Sequence, residues 1–114
     1  MKITDVTTQA FVYKTSIARD EDGHTHPGPE HDAVQTMVTV VSDEGAEGHA
    51  FGGATAVMEQ VVKPALVGED PFDREKLWQR LKETQRIHRD LLDRYIGVVD
   101  LALWDLAGVY LDQP

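Results

Sequence analysis

The sequence predicts an α+β fold, in which a three-stranded antiparallel meander is followed by a three-helix bundle. Apolar residues alternate with polar ones in the first half of the chain, and this is the period of a half-buried strand. From Ala54 onward they recur every 3.6 residues or so, which is the period of a helix. Between two alternating segments, Asp43-Glu44-Gly45 is typical of a tight turn, because glycine adopts the positive φ that such turns require.

Three strands and one long loop are expected in the first half. The strands span Lys2 to Lys14, Ala33 to Ser42, and Ala46 to Phe51. The segment from Thr15 to Asp32 is charged and contains both glycine and proline, so it is predicted to be a loop. Loops longer than about 12–15 residues in a compact domain are commonly functional or disordered. Gly52-Gly53 then lets the backbone turn from the third strand into the first helix.

Two amphipathic helices are expected next. The first runs from Ala54 to Val67, and Pro64 should end or bend it because proline has no amide hydrogen to donate. The second begins with Asp70 as its N-cap and Pro71 at the first helical position, and it ends near Arg86.

The last helix, from about Arg89 to Asp112, is apolar nearly all round, which predicts that it is covered on more than one side. Gly97 costs about 1 kcal/mol relative to alanine in a helix, a cost usually tolerated where another backbone comes close. The rest of the chain can cover only one side of this helix. A partner surface outside the chain is therefore expected. Trp78 and Trp104 are interpreted as core or interface residues.

The composition excludes several classes of protein. A length of 114 residues is that of one domain, residues 1–114, and a net charge of −9 opposes binding to nucleic acid or to an anionic membrane. The absence of cysteine excludes disulfide scaffolds and thiol catalysis. Leu91 to Leu111 is rich in apolar residues, but its three aspartates and one arginine indicate a buried soluble helix. The amino terminus has no secretory signal, so a cytoplasmic location is expected.

The predicted loop gathers several side chains that bind ligands, namely His24, His26, Glu30 and His31. Imidazole and carboxylate are good ligands for zinc or nickel. However, the spacing fits no standard structural site and no helix holds the residues rigidly, so no metal site is predicted in this chain. A solvated loop and a contact with substrate remain as the two interpretations.

Two carboxylates, Asp100 and Asp105, lie in the most apolar part of the chain. Five residues apart on a helix they point about 140° away from each other, so they are not expected to act together as acid and base. Each is expected to accept a hydrogen bond from a neighbouring loop amide or to pair with an arginine, such as Arg89 or Arg94, because a buried charge without a partner is costly. No catalytic residue is predicted in this chain.

Four local motifs occur in a distinctive order. They are the opening Met1-Lys2-Ile3-Thr4-Asp5-Val6, the hairpin Asp43-Glu44-Gly45 with Gly48, the helix start Gly68-Glu69-Asp70-Pro71-Phe72-Asp73 with Leu77-Trp78, and Val99-Asp100-Leu101-Ala102-Leu103-Trp104-Asp105-Leu106-Ala107-Gly108. Together they resemble the amino-terminal capping domain of the mandelate racemase/muconate lactonizing enzyme group of the enolase superfamily. One departure is the third strand, which closes as Gly48-His49-Ala50-Phe51-Gly52 where the family usually has Gly-Trp-Gly-Glu. This leaves the identity of the substrate open.

The resemblance implies an enolase N-terminal-domain-like cap on a (β/α)8-type barrel that is absent from this chain. In the family the barrel holds Mg²⁺ and removes a proton α to a substrate carboxylate, while two cap loops close over the substrate. Here these loops would be Thr15 to Asp32 and Phe51 to Thr55, and the implied substrate-binding residues are His24, His26, His31, Phe51 and Gly52.

The histidines of the first loop favour a hydroxylated acid, so an acid-sugar dehydratase is the first hypothesis. A racemase or cycloisomerase of the same superfamily is the alternative, and a non-catalytic interaction module is the alternative for the isolated chain. The expected partners are the chain's own barrel, a small hydroxy acid, and further copies in a homo-oligomer. The chain alone is expected to be inactive.

Overall fold

The computed structural model describes residues 1–112, so residues 113 and 114 of the predicted domain lie outside the described part. Three strands come first: β1 (Ile3–Arg19), β2 (Thr25–Ser42) and β3 (Glu47–Phe51). They form one antiparallel sheet in the order β1-β2-β3. Three helical segments follow, which confirms the predicted α+β meander followed by helices.

The first helical segment, α1 (residues 55–66), contains a π-helical stretch at Met58–Val62 between two short α-helical stretches. The Lys63 amide donates to the carbonyl oxygen of Met58, five residues earlier. Pro64 follows directly and has no amide hydrogen to donate. The wider π turn therefore lies where proline would disrupt a regular α-helix, and the segment ends two residues after Pro64, as predicted.

The second helix, α2 (Arg74–Gln85), begins later than predicted. Asp70 is not its N-cap: the Asp70 carboxylate accepts the amide of Phe72, and its carbonyl accepts the amide of Asp73, so these residues form a separate turn. Asp73 occupies the N-cap position without a side-chain cap hydrogen bond. An Asp-Pro sequence is typical of both a turn and a helix start, and here the turn forms.

The third helix, α3 (Asp93–Leu111), crosses the sheet and contacts β3 and β2. It begins four residues after the predicted start at Arg89. It buries one side in the core, whereas Leu101, Trp104, Val109 and Leu111 are exposed. Among the described helices, none is sufficiently long and apolar to cross a membrane.

The main correction to the sequence-based fold concerns Thr15 to Asp32, which is not a loop. β1 and β2 continue to pair through this segment, with Lys14 opposite Asp32 and Ala18 opposite His26. Only the five residues between Arg19 and Thr25 form a turn, in which one Asp20 carboxylate oxygen accepts the amides of Asp22 and His24. Most residues of this hairpin are exposed on both faces, so it lacks the apolar alternation by which strands are recognised in a sequence.

This hairpin, residues 15–32, is called the arm below. It gives the chain an elongated shape of 47 × 34 × 21 Å, with a radius of gyration of 15.7 Å. A compact chain of this length would have a radius of about 13 Å. The arm therefore projects away from the core.

The core lies between one face of the sheet and the helices. The strands contribute alternating residues, which confirms the predicted period of two. The largest fully buried side chains are Ile3, Met58, Leu66, Leu77, Leu81, Leu91, Ile96, Leu103, Leu106, Val6, Val38 and Val40. Trp78, predicted to lie in the core or an interface, is 47% exposed on α2. It does not belong to the core of the described residues, because it is adjacent to the buried side of α2 rather than on it.

Glu69 joins the start of β1 to α2. Its carbonyl accepts the Ile3 amide, and its carboxylate accepts hydrogen bonds from Arg80 and Lys76. The hydrogen bond from Arg80, followed by that from Lys76, lowers the pKa of Glu69 below its ordinary value of 4.5. The ionised form of Glu69 is therefore favoured over the protonated form more strongly in the folded chain than in the unfolded one.

We expect Glu69→Gln to lower the free energy of unfolding at neutral pH. Because the folded-state pKa is depressed, the contribution of the carboxylate is present above pH 4.5 and is lost as the pH falls through the folded-state value. Urea unfolding at several pH values should show the gap between wild type and variant closing below pH 4.5. Glu75→Gln, which removes an exposed carboxylate on α2, is the control. A gap that is independent of pH would contradict this assignment.

Candidate functional site

The structure places the five predicted substrate-binding residues in two groups. His24, His26 and His31 all lie on the arm and are exposed. His24 closes the turn at the tip, whereas His26 and His31 are on β2, opposite Ala18 and Thr15. Phe51 and Gly52 form the second group, at the end of β3.

Two imidazoles of the arm, those of His26 and His31, each have one nitrogen hydrogen-bonded to the backbone. His26 Nδ1 lies 3.1 Å from the Pro27 carbonyl oxygen, and His31 Nδ1 lies 3.0 Å from that of Pro29. A carbonyl can only accept, so Nδ1 carries the proton in each pair and Nε2 of the neutral ring remains an acceptor. These local hydrogen bonds orient the rings and leave Nε2 available for a hydroxyl group.

Among residues 1–112, one group of side chains comes together in a way that could hold a metal: Asp20, Asp22 and His24 at the tip of the arm. Their ligand atoms lie within 4.8 Å of one another, and all three residues are exposed. This differs from the set weighed in the sequence, because His24 lies in the turn, whereas His26 and His31 lie on β2 opposite different residues of β1. Asp20 Oδ1 already accepts two amides of the turn, which accounts for the arrangement without an ion.

At the end of β3 the backbone turns sharply through residues 51–53, called the strand-end turn below. Gly52 and Gly53 have φ values of 122° and 87°, a region that favours glycine, so they make the predicted turn from strand to helix. The Gly52 amide donates to the Thr36 carbonyl oxygen at 2.7 Å. The Phe51 ring is 55% exposed and lies 6.2 Å from that of Phe11, measured between ring centroids.

A polar network precedes this turn. The exposed Asp105 carboxylate accepts the backbone amide of His49 at 2.8 Å, so Asp105 accepts an amide as expected, but from a strand and not from a loop. The His49 ring nitrogen Nδ1 lies 2.8 Å from the hydroxyl oxygen of Thr39 on β2. His49 was not among the site residues predicted from the sequence. Its place two residues before Phe51 could have indicated it, because residues two apart on a strand share a face.

A groove of about 1030 Å³ opens beside β3 and α3. Its walls are largely apolar, and they include Phe51, Leu101, Trp104, Val109 and Leu111, which are all exposed. The Arg74 guanidinium stacks on the Trp104 ring, 3.3 Å from its centroid. Trp104 is therefore not a core residue, and because large exposed apolar patches typically mark an interaction surface, its place in an interface stays a prediction.

The two groups of site residues are not brought together within the described residues. Phe51 is paired with Met37, which is paired with Gln9 on β1. His31 lies opposite Thr15, six residues further along β1, or about 20 Å at the usual rise of a strand. Any ligand that contacts both groups must therefore occupy the space between the arm and the strand-end turn.

The chain is similar to several known proteins. Residues 7–114 match the model of the mandelate racemase / muconate lactonizing enzyme family, N-terminal domain. The solved structure of D-glucarate dehydratase from Agrobacterium tumefaciens, complexed with magnesium, superposes with a TM-score of 0.90 at 47% identity, over 97% of this chain and 30% of that one. D-xylonate dehydratase of Haloferax volcanii is 35% identical over 68% of this chain and 20% of its own length.

A D-galactonate dehydratase family member of Halomonas elongata is also 35% identical, over 66% of this chain and 21% of its own length. The chain thus spans between a fifth and a third of the proteins that it resembles. The order of strands and helices, the glycine turn after β3 and the match over residues 7–114 agree: the chain belongs to the mandelate racemase / muconate lactonizing enzyme N-terminal domain family, within the enolase superfamily.

Proposed function

We propose that this chain is the substrate-capping domain of a Mg²⁺-dependent acid-sugar dehydratase. The similarity to D-glucarate dehydratase over 97% of the chain is the observation that carries the proposal. Two of the curated relatives are also named for the dehydration of sugar acids. In such a reaction the proton α to the carboxylate is removed, hydroxide leaves from the β carbon, and the resulting enol becomes a 2-keto-3-deoxy acid.

The arm and the strand-end turn would contact the substrate. The imidazoles of His24, His26 and His31 suit the hydroxyl groups of a sugar acid, since a neutral imidazole nitrogen accepts a hydrogen bond from a hydroxyl group. Phe51 and Gly52 would supply an apolar wall and a close backbone approach. Together these two segments would exclude water from above the reacting carbons.

The Mg²⁺ ligands and the base would come from a (β/α)8-type barrel that this chain does not include. Mg²⁺ prefers six oxygen ligands in octahedral geometry, and the exposed turn with Asp20, Asp22 and His24 does not fit that requirement. When bound, the metal would stabilise the negative charge that develops on the substrate carboxylate. The apolar groove beside α3 supports docking of such a barrel, because large exposed apolar surfaces are typical of protein–protein contacts.

The test is a panel of aldonic and aldaric acids, incubated with the enzyme that carries this domain in deuterated water. A 2-keto-3-deoxy acid should form when Mg²⁺ is present and should not form after chelation. Exchange of the α hydrogen without loss of water would favour the racemase alternative, and ring closure of an unsaturated acid would favour the cycloisomerase. The chain alone should dehydrate none of the acids, and turnover by it would contradict the cap assignment.

A further inference from the structure

The end of β3 and the strand-end turn are held by α3 at three successive points, Gly48, the His49 amide and Gly52. The first is Gly48, where the strand backbone lies directly against the helix backbone. A Cβ added to Gly48 would overlap the Ala102 carbonyl oxygen and would lie 2.5 Å from the Leu106 nitrogen. The last of the three points is Gly52, where an added Cβ would lie 2.8 Å from Val98 Cγ2. The point between these two glycines is the His49 amide. Strand and helix are therefore in contact on both sides of His49 and Phe51.

The second point is the hydrogen bond from the His49 amide to Asp105 Oδ2. This amide lies on the edge of the sheet, and a residue 56 positions away in the sequence provides its acceptor. Ala102 lies four positions after Val98, and Asp105 and Leu106 lie three and four positions after Ala102, so these residues form one stripe of α3. One stripe thus fixes the position of β3 and of the turn that follows it.

The arm is held in a different way. Its two strands pair with each other, and most of its residues are exposed. A two-stranded hairpin without a covering layer is only marginally stable in water. The two segments proposed to contact the substrate therefore differ: one is fixed to a helix, and the other is supported by its own pairing alone.

We propose that Asp105 is a positioning residue for substrate binding, acting through the His49 amide on Phe51 and Gly52. This inference rests on the proposed function, because it assigns the strand-end turn to the substrate. Asp105 does not touch the substrate. Its role is to fix the turn in its binding geometry before the substrate arrives, which removes part of the entropy cost of binding.

The side-chain chemistry of Asp105 provides a matched series of variants. Asp105→Ala removes the acceptor of the His49 amide. Asp105→Asn has the same shape and keeps one carbonyl oxygen as an acceptor, so it should rescue the contact. Asp100→Ala removes a carboxylate from the same helix on the side of Arg74 and Trp78, away from β3, and serves as the control.

The experiment uses the enzyme that carries this domain and two measurements. Amide hydrogen exchange at residues 49–53 should become at least about tenfold faster in Asp105→Ala, as expected when an amide loses a charged acceptor. KM for the dehydrated acid should rise about tenfold while kcat changes less than about threefold, because binding rather than chemistry is weakened. Asp105→Asn and Asp100→Ala should leave both quantities close to wild type.

Two results would overturn the inference. Faster exchange throughout the domain, with no local effect at residues 49–53, would make Asp105 merely structural. Local faster exchange without a change of KM would show that the turn does not affect binding. If the enzyme dehydrates no acid, the proposed function is contradicted whatever the exchange result. Exchange at residues 49–53 then still decides whether Asp105 fixes the turn.

Discussion

Gly48→Ala is expected to destabilise the domain by about 3 kcal/mol or more, the upper range for inserting a methyl group into a packed site. The added Cβ would meet the Ala102 carbonyl oxygen and the Leu106 nitrogen, which are backbone atoms of α3 and cannot turn aside as a side chain would. The strand must then move away from the helix, or the helix from the sheet. Urea unfolding followed by tryptophan fluorescence measures the loss.

Gly97→Ala is the matched control, since it adds the same methyl group to α3 itself. Outside the helix's own backbone, nothing in the described residues lies within 4 Å of the added Cβ, so the expected approach of a partner surface outside the chain stays a prediction. Alanine in place of glycine should therefore stabilise the helix by about 0.5–1 kcal/mol. Equal stability of Gly48→Ala and wild type would contradict the contact between β3 and α3. Destabilisation by Gly97→Ala in the larger enzyme would place a partner surface at Gly97.

Removal of the arm is expected to abolish most of the activity while leaving the fold intact. Residues 15–31 can be replaced by Asn-Gly, a sequence that favours a two-residue turn between the paired residues Lys14 and Asp32. The arm adds no residue to the fully buried core, so the free energy of unfolding should change by less than about 1 kcal/mol. In the enzyme that carries this domain, kcat/KM should fall at least about 100-fold, because the substrate loses one side of its enclosure.

A second variant separates the imidazoles from the arm as a whole. Replacing His24, His26 and His31 together with glutamine keeps the length and hydrogen-bonding capacity of the arm but removes its aromatic rings. We expect a smaller loss of kcat/KM than in the excised variant. If the excised variant retained kcat/KM within about threefold of wild type, the arm would have no role in capping.

The fold could be predicted where one face of each element is buried. The strands near Val6, Val38 and Val40 and the turn at Gly45 follow from alternation and from the positive φ of glycine. The arm could not be predicted, because both of its faces are exposed and its pairing depends on backbone hydrogen bonds that leave no apolar pattern. Asp70-Pro71 was predicted to start the helix, which was wrong, because the same two residues also suit the turn that forms there.

The candidate site was predictable in part for similar reasons. Asp105 accepts an amide as expected, but the expectation rested on burial of its charge, whereas Asp105 is exposed and its partner lies 56 positions away in the sequence. The close backbone approach was expected at the helical Gly97, whereas it occurs at Gly48 on the strand. Glycine weakens a strand as it weakens a helix, so each of the two glycines could indicate a close approach by another backbone. Only the three-dimensional contacts distinguish Gly48 from Gly97.

The proposal that this domain closes over the substrate can be tested most directly by amide hydrogen exchange. The enzyme that carries the domain is compared with and without the acid of the panel that binds most tightly, in the presence of Mg²⁺. We predict slower exchange in the arm and in the strand-end turn, with the larger change in the arm because α3 already holds the turn. Slower exchange confined to parts of the enzyme outside this domain would contradict the assignment of the chain as a substrate cap.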